Sequence, residues 1–346
     1  MTVEQKDLAN VIRALAMDAV QMANSGHPGM PMGMADVATI LFTQFLKYDA
    51  SNPDWADRDR FILSAGHGSM LLYALLYLTG YPDIDINEIK NFRQLGSKTA
   101  GHPEYGHAAG IETTTGPLGQ GISTAVGMAL AERILASRFS EDIVDHYTYV
   151  IAGDGDLMEG ISHEAASFAG HLGLSRLIVL YDDNGISIDG STELAWSDNV
   201  PARFDSYGWH TSVVDGHNAE AVTAAIKAAR DEDQPSLIAC KTTIAYGAPT
   251  KAGTAGSHGA PLGDEEIAGV REKISWPYAP FEVPDEIMSV WREAGVRGSG
   301  ERIAWEKRLE SCDSNIRKQF QRAVSGGLPV GWEKSINNIK NEFISN

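Results

Sequence analysis

The sequence predicts an α/β fold in which a mostly parallel sheet carries helices on both of its faces. Short apolar segments of strand length alternate along the chain with longer segments of helical periodicity, which is typical of strands joined by crossover helices. Leu177–Tyr181 is an unbroken apolar run, as expected of a strand that is buried on both faces. Polar and glycine-rich turns follow the predicted strands, where open α/β sheets bind their ligands.

The N-terminal part of the chain is predicted to be mainly helical. Apolar residues recur at helical spacing over residues 3–24, and Gly26-His27-Pro28-Gly29 stops that helix. The next predicted elements are a helix at about Gly33–Leu46, a strand at Phe61–Ala65, a helix at Met70–Leu78 and an Ala-rich helix at Gly119–Arg138. Phe92–Gly119 is rich in Gly, Thr and Pro, and a loop of that length is usually functional or disordered.

The middle of the chain is predicted to form a strand–helix–strand unit, on which the prediction of the functional site depends. His146–Ala152 is aromatic and β-branched, which favours a strand, and Gly153-Asp154-Gly155 predicts a tight turn after it. A helix at Glu159–Leu172 leads to the strand at Leu177–Tyr181, and the crossover should be right-handed. Asp154 and Asn184 are therefore expected at the carboxyl ends of two parallel strands.

The remaining elements continue the alternation and then give way to a helical tail. Strands are predicted at Trp209–Val214 and Ser236–Cys240, with helices at Ala219–Arg230 and Asp264–Lys273 and a glycine-rich loop at Ala245–Gly263. Pro277–Pro284 marks a change in composition. We therefore expect a first domain at 1–280 and a helical linker or wrapping segment at 281–346, with helices at Ile287–Ala294, Arg302–Lys318 and Trp332–Ile344.

Composition excludes some classes of function. The net charge of −18 argues against a surface for nucleic acid or an anionic membrane, so we expect neither as a partner. No apolar run approaches the roughly 20 residues of a membrane span. The two cysteines make no disulfide framework, and we see no signal peptide, which together predict a cytoplasmic location.

A carboxylate and an amide at adjacent strand ends suit a hard divalent cation. Mg²⁺ prefers near-octahedral oxygen coordination, and Asp154, Asn184 and the backbone carbonyl of Ile186 would supply three such oxygens. The alternative is that Asp154 only caps the following helix and Asn184 only makes a turn. Because a second apolar strand precedes Asn184, we favour the metal site, with Ca²⁺ or Mn²⁺ as substitutes for Mg²⁺.

Four of the ten histidines lie in loops that are predicted to follow or precede secondary-structure elements: His27, His67, His102 and His258. A single loop histidine is more often a surface residue than a functional one. Four of them in the glycine-rich loops of one sheet favour a binding role, because imidazoles donate to phosphate and sugar oxygens and titrate near neutral pH.

The motifs around Asp154 and Asn184 also resemble those of a known family. Gly153-Asp154-Gly155 followed by Asn184 resembles the thiamine diphosphate (ThDP) signature. Gly-Asp-Gly-x-x-x-Glu-Gly-Ile-Ser-His-Glu-Ala and Tyr-Asp-Asp-Asn-Gly-Ile-Ser-Ile-Asp-Gly are similar to transketolases, and the resemblance runs from about Leu8 to about Pro284. It implies the ThDP-binding fold, with ThDP and Mg²⁺ as cofactors and residues 1–280 as the diphosphate-binding domain.

The resemblance implies a role for each of the four histidines. His27 would contact substrate near the reacting carbon, and His102 would bind the sugar hydroxyls. His67 and His258 would each reach both the cofactor diphosphate and the substrate. His27 and His258 are thus the candidate catalytic residues. The histidines that match no such role are interpreted as structural: His163, His171, His210 and His217.

The resemblance also implies cofactor contacts outside the metal site. Gly116, Pro117 and Leu118 would form a wall against the cofactor rings, and Gly155 would be a further contact. Glu159 and Glu164 would belong to a hydrogen-bonded chain that links two active sites across a homodimer. Ordinary carboxylates at a helix start are an equally good interpretation of this pair.

The function that the resemblance implies is transfer of a two-carbon ketol group between sugar phosphates, in the pentose phosphate pathway. In transketolases a pyrimidine-binding domain follows and supplies an activating glutamate from the neighbouring subunit, and this sequence stops near that boundary. We expect either the first half of a split enzyme or a fragment of a longer one, inactive alone. The alternatives are another ThDP enzyme, such as a dihydroxyacetone synthase or 1-deoxyxylulose-phosphate synthase, and a non-catalytic ThDP-binding or dimerisation chain. The Gly-His-Pro-Glu and Ser-His-Gly loops favour transketolase over the other ThDP enzymes.

Overall fold

The computed structural model describes residues 3–345, and its centre is a five-stranded parallel sheet. In chain order the strands are β1 (Arg60–Leu63), β2 (Thr148–Gly153), β3 (Leu177–Asp183), β4 (Ile186–Ser187), β5 (Gly190–Ser191), β6 (His210–Asp215) and β7 (Ser236–Lys241). The sheet order is β1-β2-β3-β7-β6, while β4 and β5 form a small antiparallel ribbon beside it. The predicted class, a mostly parallel sheet with helices on both faces, is confirmed.

Alternate strand residues enter two separate cores, which explains why the strands are almost wholly apolar. Ile178 and Leu180 of β3 belong to one core, and Val179 and Tyr181 belong to the other. The same alternation holds on the neighbouring strand, where Val150 pairs with Val179. Each face must therefore be covered by its own layer of helices.

The helices form those layers and a C-terminal group. In chain order they are α1 (Gln5–Ala23), α2 (Gly29–Gly33), α3 (Ala35–Ile40), α4 (Ser69–Thr79), α5 (Ile86–Lys90), α6 (Gln120–Phe139), α7 (Asp154–Met158), α8 (Gly160–Leu172), α9 (Val200–Ser206), α10 (Ala219–Arg230), α11 (Asp264–Lys273), α12 (Asp285–Val296), α13 (Ser299–Ser311), α14 (Ser314–Val324) and α15 (Trp332–Ser345). Helices α1, α3, α4 and α10 contribute to one core, and α6, α8 and α9 contribute to the other.

Several predicted elements differ in detail from the structure. The helix predicted at Gly33–Leu46 is divided into α2, α3 and a π-helical turn at Leu41–Phe45. The hydroxyls of Thr39 and Thr43 bond to carbonyls four residues earlier, which bends helices. The helix predicted at Arg302–Lys318 is two helices, because Asp313 caps the start of α14 with its side chain. Helices α5 and α9 and the β4–β5 ribbon are too short to leave a periodic signal in the sequence.

The segment that follows residue 280 packs partly against the body of the protein. Trp291 of α12 is fully buried, and the indole nitrogen of Trp305 in α13 donates to the carbonyl of Ile143 at 2.8 Å. The apolar side chains of α15, by contrast, are exposed. The division into domains at 280 stays a prediction. Within residues 3–345, no helix combines the length and the apolar character that a membrane crossing needs.

Candidate active site

The carboxyl ends of the parallel strands open into a cleft of about 460 Å³, a volume typical of small-molecule sites. The loops after α1, β1, β2, β3 and β7 and the loop before α6 form its walls. The predicted site residues that line it are His27, His67, His102, Gly116, Leu118, Asp154, Gly155, Glu159, Asn184, Ile186 and His258. Pro117 was also expected against the cofactor rings, but it does not belong to the lining, and neither does Glu164.

Asp154 lies at the end of β2, where it is also the first residue of α7. The tight turn predicted at Gly153–Gly155 is therefore wrong, because the chain passes directly from strand into helix. The Tyr181 hydroxyl donates to Oδ1 of Asp154, and the main-chain N–H of Gly185 donates to Oδ2 at 3.1 Å. Burial raises the pKa of Asp154 to about 6, against the opposing effect of the Tyr181 hydrogen bond.

Asn184 lies just beyond β3, and both ends of its amide are fixed. Its Nδ2 donates to Asp182 at 2.8 Å, and its Oδ1 accepts from the N–H of Ile186 at 2.9 Å. Asp182 in turn accepts a hydrogen bond from the hydroxyl of Thr242. Burial raises the pKa of Asp182 to about 7, and the charge of Asp154 acts in the same direction.

The oxygen atoms around Asp154, Asp182 and Asn184, which we call the acidic corner, are of the kind that binds a hard divalent cation. Among the described residues Asp154 and Asp182 accept hydrogen bonds only from neutral donors, whereas Lys241 pairs with Asp183 at 2.6 Å. No group of three His, Cys, Asp or Glu side chains within 3–345 is arranged to hold a metal ion. The candidate ligands are instead one carboxylate and the oxygens of Asn184 and Ile186, which is the oxygen chemistry that Mg²⁺ prefers. The metal site stays a prediction.

Asp156 connects the acidic corner to the loop on the other side of the cleft. The sequence analysis did not identify this residue. It is fully buried and accepts hydrogen bonds from the Ser64 hydroxyl at 2.9 Å and from the N–H groups of Gly119 and Gly153 at 3.0 Å. It thus connects the first turn of α7 to the loop that carries Leu118. The sequence feature that could have identified Asp156 is that it is a second carboxylate, two residues after Asp154 in the same motif.

Three of the predicted histidines meet in one cluster, although they come from distant loops. The ring centroids of His27 and His67 are 5.2 Å apart, those of His67 and His258 are 5.1 Å apart, and those of His27 and His258 are 5.6 Å apart. His102 lines the same cleft beside Gly116, where a Cβ atom would lie 3.1 Å from Cγ of His102. Gly116 also has a φ of 142°, so both space and backbone favour glycine there.

The expectation that these histidines titrate near neutral pH is wrong for the inner two. Burial lowers the pKa of His27 to about 4 and that of His67 to about 3, and neighbouring histidines lower both further. Burial also lowers the pKa of His102 and of His258. At neutral pH the inner rings are therefore uncharged, each with one donor and one acceptor nitrogen. Nδ1 of His27 is buried without a hydrogen-bond partner among the described residues.

The remaining lining is partly apolar. Leu118 packs close to Gly155, where a Cβ atom would lie 3.0 Å from Cδ1 of Leu118. Met30 of α2 and Ile244 in the loop after β7 also line the cleft, and sequence reasoning missed both because only the tertiary fold brings them there. Glu159 is exposed at the junction of α7 and α8, at the edge of the cleft.

The comparison with protein families agrees with this geometry. Residues 4–329 match the family model described as "Transketolase, thiamine diphosphate binding domain". The fold is therefore that of a ThDP-binding domain. The chain belongs to the transketolase family.

Individual relatives give the same result. Transketolase 2 of Vibrio vulnificus is 57% identical over 343 residues, which cover 97% of this chain and 51% of the relative. The structure of transketolase from Leishmania mexicana matches with a TM-score of 0.93 at 45% identity, covering 96% of this chain and 51% of that one. A Pichia stipitis transketolase in complex with sedoheptulose-7-phosphate matches with a TM-score of 0.91 at 43% identity, covering 95% of this chain and 50% of that one. This chain thus spans about half the length of these relatives.

Proposed function

We propose that this chain is the diphosphate-binding half of a transketolase, which transfers a two-carbon ketol group from a ketose phosphate to an aldose phosphate. The observation that carries the proposal is that one cleft contains both an acidic corner at Asp154 and a cluster of uncharged histidines. The first is suited to a metal-bound diphosphate. The second is suited to the hydroxyl and carbonyl oxygens of a sugar.

The acidic corner would anchor the cofactor. Asp154, the amide oxygen of Asn184 and the carbonyl of Ile186 would hold Mg²⁺, for which Ca²⁺ or Mn²⁺ would substitute, and the cation would offset the negative charge of the ThDP diphosphate. The uncompensated charge of the buried carboxylates supports this assignment, because a cation would favour their ionised form. When bound, ThDP supplies the carbon nucleophile that breaks and re-forms a carbon–carbon bond of the sugars.

The histidines would orient the substrate and exchange protons with it. His27 lines the cleft and would contact a substrate oxygen near the reacting carbon, while its buried Nδ1 has no hydrogen-bond partner among the described residues. His258 lies against His27 and would act with it, while His67 would reach both the diphosphate and the substrate. An uncharged imidazole accepts a proton at one nitrogen and donates at the other, which suits a step that moves a proton within the substrate. His102 would bind the sugar hydroxyls.

The chain would act together with further protein. The relatives are about twice as long as this chain, which supports a need for a pyrimidine-binding domain or a second-half chain and, by family resemblance, a homodimer. The complex of the Pichia stipitis enzyme supports sugar phosphates as the substrate class. We also propose a cytoplasmic location and a role in the pentose phosphate pathway.

Complementation tests the proposal. The pure chain is mixed with a separately made second half of a related transketolase, at saturating ThDP and Mg²⁺, and assayed with xylulose 5-phosphate and ribose 5-phosphate. We expect ketol transfer in the mixture and little or none with either half alone. Formation of dihydroxyacetone from formaldehyde as the preferred reaction would favour a dihydroxyacetone synthase. A mixture that binds ThDP but transfers nothing, with a relative's own two halves active under the same conditions, would contradict the proposal.

A further inference from the structure

A buried polar network lies beside the cleft without lining it. Asp36 of α3 accepts a hydrogen bond from the guanidinium of Arg13 in α1 and another from Nδ1 of His217 at 2.8 Å. Arg13 is 1% exposed and Asp36 is 9% exposed. The proposed function uses none of these residues, so their burial needs a separate explanation.

The partners of His217 fix the protonation of its ring. Nε2 lies 3.0 Å from the main-chain nitrogen of Thr243. A main-chain N–H can only donate, so Nε2 must be the acceptor and Nδ1 must carry the proton that is donated to Asp36. The neutral ring therefore bridges a buried carboxylate and the backbone of the loop that follows β7.

The loop segment that His217 holds reaches both parts of the cleft. The hydroxyl of Thr242, one residue before the bridge, donates to Asp182, which holds the amide of Asn184. Ile244, one residue after the bridge, lines the cleft beside the histidine cluster. A shift of this segment would therefore move residues in both the acidic corner and the wall of the cleft near His27.

The same segment is attached to α2, so the bridge is not an isolated contact. The N–H of Ala245 donates to the carbonyl of Gly29 at 2.9 Å, and Nε of Arg13 donates to the carbonyl of Met32 at 3.0 Å. The ring of Tyr246 packs on His217, with 4.1 Å between the ring centroids, and the Arg13 guanidinium lies 4.5 Å from the same tyrosine ring. These contacts order the side chains on which the bridge depends.

Charge complementarity supports a permanent rather than an occasional contact. Burial alone would raise the pKa of Asp36, but the hydrogen bond from His217 and the charge of Arg13 outweigh it and hold the pKa below its usual range. The carboxylate thus stays ionised and keeps its acceptor function. An ionised Asp36 favours the ring orientation in which Nδ1 donates to it and Nε2 faces Thr243.

We propose that His217 and Asp36 are positioning residues for the reaction: they fix the segment Thr242–Ile244 and through it the geometry of the cofactor cleft. The assignment rests on the proposed function only in that the cleft is taken to be the ThDP site. It gives a role to a histidine that the sequence motifs leave without one.

The first experiment needs no cofactor. Hydrogen–deuterium exchange is measured on the intact chain for peptides that cover residues 242–258, in the wild type and in His217→Phe. Phenylalanine keeps the ring volume and the packing on Tyr246 but removes both hydrogen bonds. We expect the exchange rate of this segment to rise by about tenfold or more, because its local opening becomes easier. The matched control is His210→Phe, at the other end of β6, where the ring faces Ser236 instead of the cleft.

The second experiment uses rescue and a kinetic separation in the complemented enzyme. His217→Gln can still accept from Thr243 and donate to Asp36, so it should restore slow exchange and most of the ThDP affinity. His217→Phe should weaken ThDP binding about tenfold to a hundredfold, as expected when the partner of a cofactor-holding group is lost. The kcat at saturating ThDP should change much less, because no reacting group is removed.

The outcomes separate this inference from the proposed function. Unchanged exchange at 242–258 in His217→Phe, or failure of His217→Gln to restore it, would overturn the positioning role. If the wild type bound no ThDP even when complemented, the proposed function would fail, and the exchange contrast with His210→Phe would still decide the role of His217.

Discussion

Burial shifts the pKa values on the two sides of the cleft, the histidine side and the acidic side, in opposite directions. On the histidine side burial lowers the pKa of His27 to about 4 and of His67 to about 3, and the rings lose their charge. On the acidic side burial raises the pKa of Asp154 to about 6 and of Asp182 to about 7. Asp154 and Asp182 are buried and the histidines are partly buried, and among the described residues no cationic side chain donates a hydrogen bond to either of these two carboxylates.

This difference indicates the sign of the ligand charge that each side would favour. An anion beside the histidines would raise their pKa, and a cation beside Asp154 would lower that of the carboxylate. A metal-bound diphosphate brings both charges at once. Under the proposed function, we therefore expect the cleft to bind the complete cofactor–metal pair more tightly than either component alone.

The largest effect of a substitution is expected on the acidic side, in the affinity for ThDP. Asp154→Ala removes the one charged candidate ligand, so ThDP binding that depends on Mg²⁺ should weaken by about a hundredfold or more. Calorimetric titration of the complemented chain with ThDP, with and without Mg²⁺, measures it. Glu141→Ala is the matched control, because Glu141 is an exposed carboxylate outside the cleft lining. Equal ThDP affinity in Asp154→Ala and wild type would remove the basis of the metal assignment.

The histidine side should be visible in the pH dependence of stability. The pKa of His67 falls from its usual 6.5 to about 3 on folding, so below pH 6.5 the unfolded chain binds a proton that the folded chain does not. The stability contribution is full above pH 6.5 and is lost as the pH falls toward 3, by about 2 kcal/mol at pH 5. His67→Gln should therefore lose less stability than the wild type between pH 7 and pH 5.

Urea denaturation at the two pH values measures this difference. The exposed His171 provides the control His171→Gln, which should follow the wild type. A His67→Gln chain with the same pH slope as the wild type would mean that His67 is protonated in the folded state.

Within the histidine side, His102 and His258 should differ in which ligand their loss affects. In the complemented enzyme His102→Ala should raise the KM for the sugar phosphate by about tenfold and change ThDP affinity little, because one hydrogen-bonding group is lost at the substrate end. His258→Ala should weaken both. Steady-state kinetics with each ligand varied in turn measures the two constants. An effect of His102→Ala on ThDP affinity alone would show that the roles are assigned wrongly.

The smallest effect is expected for Arg203, whose ion-pair partner on the acidic side of the cleft is exposed. Arg203 donates to the carbonyl of Leu157 at 2.8 Å and to Asp198 at 2.6 Å, so it connects α7 to the loop that follows the β4–β5 ribbon. Arg203→Leu should lower the free energy of unfolding by about 1 kcal/mol or less, as for a partly exposed ion pair. Chemical denaturation measures it, with Arg138→Leu as the control. A loss of several kcal/mol would mean that this loop is as tightly held as the segment at Thr243.

The sequence predicted the sheet better than the loops for a physical reason. A buried strand such as β3 must be apolar along its length, so Leu177–Tyr181 was recognisable on its own. Asp154 and Asn184 followed from the strand ends, because parallel strands end at the same edge. His217 and Asp36 are 181 residues apart in sequence, and no local pattern records that they meet. The pKa values of the histidines were also beyond sequence reasoning, because they depend on how completely three loops enclose them.

The strand order has a consequence for the time course of folding. Within the described residues β6 pairs only with β7, which is made one helix later and must also insert beside β3. At a synthesis rate of about 5–20 residues per second, β6 leaves the ribosome seconds before its partner exists. The edge of β3 is unpaired during the same interval. We expect this interval to be the period in which the nascent chain is most prone to aggregate and most dependent on chaperones.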